Sequence, residues 1–353
     1  MFGRSLRLFL SVLCGLALWG PGAAVRAAPA EVLRVLAWPG YADPDVVRDF
    51  EARHKVRVEV TLVDSDTALW QRISASGGRN FDVFAVNTAE LQRYIDAALV
   101  QPIDPAAVPN TRRQLPRFRQ TEAIPGLMRG GQLYGIPYTY AEMGLIYDRS
   151  QFRQPPDTLR ALWDPALRGR VLAYDGGSHN FSLAMLGLGS RMPFRISHGE
   201  WRQAVERLIE LRRNVLGFYA RPEESVDLFR RHRVALMLAN YGTQQLQLLR
   251  AAGADVGYVV PREGALAWLD CWVITAGARN RPLVEAWLNH MLEPAASEQL
   301  VSRQGLASTT AEAPGSRPED RLHWLQVVED IARRERLWAR IISGDRAARV
   351  LAP

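Results

Sequence analysis

Trp268 and Asp270 set an aromatic face and a carboxylate two residues apart inside the apolar, β-branched run from Leu266 to Thr275. On a strand, residues i and i+2 share a face, so the indole and the carboxylate point the same way. A carboxylate taken out of water costs several kcal/mol unless a cation or a set of donors meets it. An ammonium packed against an indole would meet it, because ion pairing and cation–π attraction then act on one centre. The same two residues also fit a core tryptophan beside an aspartate held by backbone amides.

A second constellation is the turn Asp175-Gly-Gly-Ser-His-Asn180, set between an expected strand and an expected helix. Ser178 could serve as a hydrolase nucleophile, but the sharp elbow that chemistry uses wants glycine two residues later, where Asn180 stands. The helix start could instead hold an anionic group, or the turn could be a glycine-rich connection capped by Ser178 or Asn180. The six histidines show no metal-ligand spacing with one another or with Cys271, so neither a metal nor a cofactor is expected.

These residues need positioning elements. Val32 to Trp38 reads as a strand, Pro39-Gly40-Tyr41 as a turn, and Asp43-Pro44 as the cap and first turn of a helix. Val56 to Leu62 alternates as a second strand; a helix from 67 to 76, a strand from 81 to 86 and a helix from 88 to 97 follow. This alternation predicts an α/β fold whose ligand crevice lies beyond the carboxyl ends of the strands, where Trp38, Tyr41, Asn87 and Thr88 fall. Residues 102–131 read as an irregular surface stretch. Gln132 to Asp148 reads as two short strands around Pro137-Tyr138-Thr139-Tyr140.

A second alternation follows: strands over 171–174, 234–239 and 256–260, and helices ending near 188 and over 199–213, 223–231 and 242–252. After the 266–275 strand come helices near 282–291 and 295–303, then a charged helix from Glu319 to Arg334.

Arg4 and Arg7, the apolar run Leu8 to Trp19 and the small residues ending Val25-Arg26-Ala27 have the three regions of a secretory signal, expected at 1–27. A secreted chain left with the single cysteine Cys271 has no internal disulfide and must be held by core burial. The formal charge of +7 is scattered and includes Arg4, Arg7 and Arg26. Solvated faces, with no nucleic-acid partner, are the expected reading.

Several blocks together carry a resemblance. They are LAWPGY, FEARHKVRVEV, FDVFAVNT, LYGIPYTYAEMGLIYD, LRGRVLAYD, PREGALAWLDCWVITAGARN and PLVEAWLNHMLEP, in that order. The chain resembles the spermidine/putrescine-binding proteins of bacterial ABC transporters over essentially its whole expected mature length. The resemblance implies a two-lobed, type II-like binding protein in the periplasm, a monomer and not an enzyme, with each lobe a sheet flanked by helices. Residues 28–137 with 272–304 would form one lobe, and 138–271 with 305–353 the other.

A polyamine or smaller amine would lie in the interlobe cleft, for delivery to an inner-membrane ABC permease or presentation to a membrane sensor receptor. Trp38, Tyr41, Trp268 and Asp270 match ligand-binding positions of that family, and Asn87 and Thr88 match a pocket loop. The chain departs where Asp175 and His179 stand in place of an acidic cluster. Ala239 stands where a pocket tryptophan is common, with Tyr241 as a substitute, and Leu306 and Ala89 replace aromatics. With His179 in place of a carboxylate, cation affinity is expected to fall from about pH 8 to about pH 5.5 as the imidazole protonates.

Overall fold

The structure is a computed structural model describing residues 31–312 and 321–352. The expected signal, 1–27, lies outside the described residues. The chain begins β1 (Val32–Ala37), α1 (Pro44–His54), β2 (Arg57–Leu62), α2 (Asp66–Ser74), β3 (Val83–Asn87), α3 (Thr88–Asp96) and β4 (Val100–Gln101). A short helix α4 (Pro116–Arg119) and the hairpin β5 (Met128–Arg129) and β6 (Gln132–Leu133) lead into β7 (Ile136–Glu142).

Next come β8 (Leu145–Asp148), β9 (Val171–Tyr174), α5 (Gly177–Gly187), α6 (Trp201–Asn214), β10 (Val215–Tyr219), α7 (Pro222–Arg231), β11 (Leu236–Leu238), α8 (Thr243–Ala251) and β12 (Val256–Val259). The chain returns through β13 (Ala265–Thr275), α9 (Arg281–His290), α10 (Pro294–Gln304) and β14 (Ala307–Ser308). It ends with β15 (Leu322–Trp324), α11 (Ile331–Ile342) and α12 (Ala347–Val350).

Two sheets result. The first runs β14-β7-β13-β3-β1-β2, with β4 and β15 also paired to β13; the second runs β10-β9-β11-β8-β12. The β1–β2 and β1–β3 pairs are parallel, as crossover helices require, whereas β13 lies antiparallel to β3 and β7. One apolar core fills the first sheet, around Phe50, Phe84, Trp272 and Trp287. Two more cover the faces of the second, around Phe181, Leu208 and Trp338 on one side and Tyr219 and Phe229 on the other. The expected α/β architecture, two sheets flanked by helices, is what forms. Among the described residues no helix is long and apolar enough to cross a membrane.

Three local expectations are corrected. The break expected at residues 137–140 falls instead at Met143-Gly144, because β7 continues through Pro137. A bulge makes this possible: Asp270 pairs with Thr139 and Cys271 with Pro137, so Tyr138 is the extra residue and the missing proline N–H is no loss. The charged helix expected over Glu319 to Arg334 is a strand at 322–324 followed by a later helix, α11. Backbone pairing of Leu322, His323 and Trp324 with Ala265, Leu266 and Ala267 overrides local helix propensity there. Finally β10, over residues for which no element was expected, pairs in parallel with β9 at the sheet edge.

Helix α11 is locked onto α5 by Arg334, which is fully buried. Its Nε and Nη2 donate to the two oxygens of Glu329 at 2.9 and 2.8 Å, and Nη1 donates to the Ser178 carbonyl at 3.0 Å and to Ser182 Oγ at 2.8 Å. Arg334→Met removes the cation and its donors from Glu329, Ser178 and Ser182, leaving Glu329 with the Ile196 amide at 3.1 Å, and we expect a loss of about 3–5 kcal/mol in denaturant unfolding. A variant within about 0.5 kcal/mol of the native protein would show that this network does not hold α11 in place.

Candidate functional site

The strand-to-helix junctions of the first sheet converge on one carboxylate. Asn87 ends β3 and caps α3, its Oδ1 accepting from the Ala89 amide at 2.9 Å. That contact fixes the amide orientation and turns Nδ2 toward Asp270 Oδ1, 3.1 Å away. Asn87 and Asp270 are direct cross-strand partners, so backbone register sets this distance. Tyr41 follows the turn at Gly40, whose φ of 83° suits glycine, and its hydroxyl donates to Asp270 Oδ2 at 2.6 Å. Tyr138, the bulged residue, holds Tyr41 from behind: its hydroxyl donates to the Tyr41 carbonyl at 2.9 Å and the rings meet edge to face.

Asp270 is therefore buried, at 6% exposure, with two neutral donors and no described cation among its contacts. Burial pushes its carboxyl up to about 7, with the Asp66 charge adding to the rise and the hydrogen bonds from Tyr41 and Asn87 opposing it.

Asp270 borders a cavity of about 910 Å³ between the two sheets. Trp38, Tyr41, Asn87, Trp268 and Asp270 line it from the first sheet, and His179 and Tyr241 from the second. Trp268 ties the two together, its Nε1 donating to the Asn240 carbonyl at 2.9 Å. Tyr241 is held by its hydroxyl bond to the Ala220 carbonyl at 2.7 Å and by edge contact with Tyr174. Two expected residues do not reach the wall. Thr88 is fully buried at the start of α3, under the Gly126 turn, and Asp175 accepts from Trp338 Nε1 at 2.8 Å outside the cavity.

His179 lines the cavity but does not titrate as expected. Burial, with the Arg334 cation beside it, pushes the imidazole down to about 4, so it stays neutral from pH 8 to pH 5.5. The group placed to change charge near neutrality is Asp270.

Sequence reasoning missed most of the polar lining. Seven carboxylates border the cavity, those of Asp64, Asp66, Glu90, Asp96, Glu223, Asp270 and Glu335, against the two arginines Arg93 and Arg221. Arg93 is already engaged, ion-paired to Glu90 at 2.9 Å and stacked over Trp70. In a chain of formal charge +7 this crevice is strongly acidic, which draws cations and repels anions. The signal available was the Asp64-Ser-Asp66 entry to α2, whose capping Ser65 sets the loop beside the crevice.

A cavity of this size between two sheets, with aromatic walls and a buried carboxylate, has the form of a small-solute binding site. Residues 45–320 match the family of bacterial extracellular solute-binding proteins, and the chain belongs to that family, whose members are non-enzymatic components of transport.

Among curated relatives, the spermidine/putrescine-binding periplasmic protein 1 of Haemophilus influenzae is 22% identical over 84% of this chain and 81% of its own length. The putrescine-binding periplasmic protein PotF of Escherichia coli is 23% identical over 81% and 80%. Among solved structures, the spermidine/putrescine ABC transporter substrate-binding protein PotD of Streptococcus pneumoniae superposes with a TM-score of 0.69 at 22% identity. That match covers 82% of this chain and 86% of that one.

The site makes a direct prediction. In ligand-free protein, the ¹³C shift of the Asp270 carboxyl should titrate near pH 7. Tyr41→Phe, which removes a donor to the ionised form, should raise that midpoint further. A midpoint in the ordinary aspartate range, near 4, would contradict the site as described.

Proposed function

We propose that this protein captures a polyamine, or a smaller amine, in the periplasm and delivers it to an inner-membrane ABC permease. The observation that carries the proposal is the buried Asp270 carboxylate, which has only neutral donors and opens onto an acidic cavity. A ligand ammonium would supply the missing charge, while the faces of Trp38, Tyr41 and Trp268 pack its methylenes. His179 and Tyr241 would complete the opposite wall. The names of the relatives support this ligand class.

Closure of two lobes would exclude water and strengthen both interactions. We place the lobe boundaries where the chain passes between sheets, after Glu142 and before Ala265, rather than within β7 and β13 at 137/138 and 271/272, and we assign β14 and β15, which pair with β7 and β13, to the first lobe rather than, with 305–353, to the second. The protein would act as a monomer, each chain holding one ligand.

Asp270→Asn should weaken putrescine and spermidine binding by roughly 2–5 kcal/mol in titration calorimetry, with the fold intact. Below about pH 7 the free protein carries a proton on Asp270 that the ligand must expel, so affinity falls as pH falls. Between pH 7.5 and 5.5 the loss should be roughly 20-fold for a proton released at a site of this pKa. His179→Gln should keep this profile and Asp270→Asn should abolish it. Unchanged affinity in folded Asp270→Asn would sink the proposal.

A further inference from the structure

Helices α1, α9 and α10 meet at a cluster that borders no part of the crevice: Asp49 on α1, His290 at the end of α9, and Glu293 just before α10. His290 is 4% exposed, and its Nε2 lies 2.9 Å from the Val46 carbonyl. A carbonyl only accepts, so Nε2 carries a proton, and in the neutral imidazole Nδ1 presents a lone pair. That lone pair has no hydrogen-bond partner, and it faces Glu293 Oε2 at 3.5 Å. In that tautomer the imidazole nitrogen and the partly exposed carboxylate are two acceptors facing each other, an arrangement that a metal cation or a proton between them relieves.

The donor set points to what that cation is. Ligand atoms of Asp49, His290 and Glu293 all lie within 4.8 Å of one another. A tetrahedral metal with bonds of about 2.0–2.1 Å sets neighbouring ligand atoms roughly 3.4 Å apart, close to the separation of His290 Nδ1 and Glu293 Oε2. A histidine whose second ring nitrogen donates to a backbone carbonyl has the tautomer and orientation that metal-binding histidines use. One imidazole and two carboxylates suit a borderline divalent ion and leave a fourth position for water. Arg53 competes from the solvent side, ion-paired to Asp49 at 2.5 Å and to Glu293 at 2.8 Å, and leaves Nδ1 unmet.

We propose that Asp49, His290 and Glu293 form a zinc-type divalent metal site that ties α1 to the α9–α10 junction. The test uses untagged, chelator-stripped full chain titrated with zinc chloride, with cobalt(II) as a spectroscopic probe of tetrahedral nitrogen–oxygen coordination. One zinc per chain should bind. Glu293→Gln and the exposed-site variant Asp49→Asn should each weaken it at least tenfold, and Arg53→Met should tighten it by freeing both carboxylates. Asp270→Asn should leave it unchanged, which separates this site from the crevice. Absence of saturable zinc binding, or binding indifferent to Glu293→Gln and Asp49→Asn, overturns the proposal; so does a His290 that takes up only a proton and no zinc in the Arg53→Met protein.

Discussion

Keeping Asp270 ionised at 6% exposure costs several kcal/mol, and the two hydrogen bonds it receives from neutral groups offset only part of that. The remainder appears as a carboxyl whose proton is held to about pH 7. Much of the surrounding structure maintains this incomplete compensation. The β3–β13 register brings Asn87 opposite Asp270, the Gly40 turn brings Tyr41 over it, and the Tyr138 bulge stops Tyr41 from moving away. If any of these loosened, water would reach the carboxylate and the unmet charge would be lost.

Trp268 carries the same constraint across the molecule. It stands on the first sheet two residues before Asp270, packs against the cores of both sheets, and donates to the backbone that follows β11 in the second. A movement of one sheet against the other must therefore strain a hydrogen bond whose acceptor, the Asn240 carbonyl, belongs to a residue only 5% exposed. Breaking one neutral bond costs about 1 kcal/mol, small enough for thermal opening yet enough to favour one arrangement.

The alternation of strands and helices was legible because each element is short and periodic: Asp43-Pro44 caps a helix where its sequence says it should, and the helix expected from residue 88 begins there. Trp268 and Asp270 were legible as cavity partners because strand periodicity alone puts them on one face. What failed depended on contacts distant in sequence. The β15 strand exists only because β13 has room beside Ala265, and β10 only because β9 has a free edge. Asp175 has the composition of a pocket residue, but Trp338, 163 positions away, holds it elsewhere. His179 looked like a titrating group because the sequence does not reveal that the fold buries its ring and sets Arg334 beside it.

Burial moves Asp270 and His179, on facing walls of the cavity, in opposite senses, the acid up and the base down, so both favour their neutral forms. Near neutrality Asp270 is close to its midpoint, and a cationic ligand of the kind proposed would draw it into its ionised state. The rim differs, because Asp64 before α2 and Glu223 on α7 border the cavity and are exposed to water. An amino acid would bring its carboxylate into this field with only exposed Arg221 left to receive it, since Arg93 is committed to Glu90 and Trp70. A ligand bearing ammonium groups alone meets no such repulsion. For the ligand proposed here, discrimination against zwitterions thus rests on the acidic rim, which repels the wrong solute before the aromatic walls can bind it.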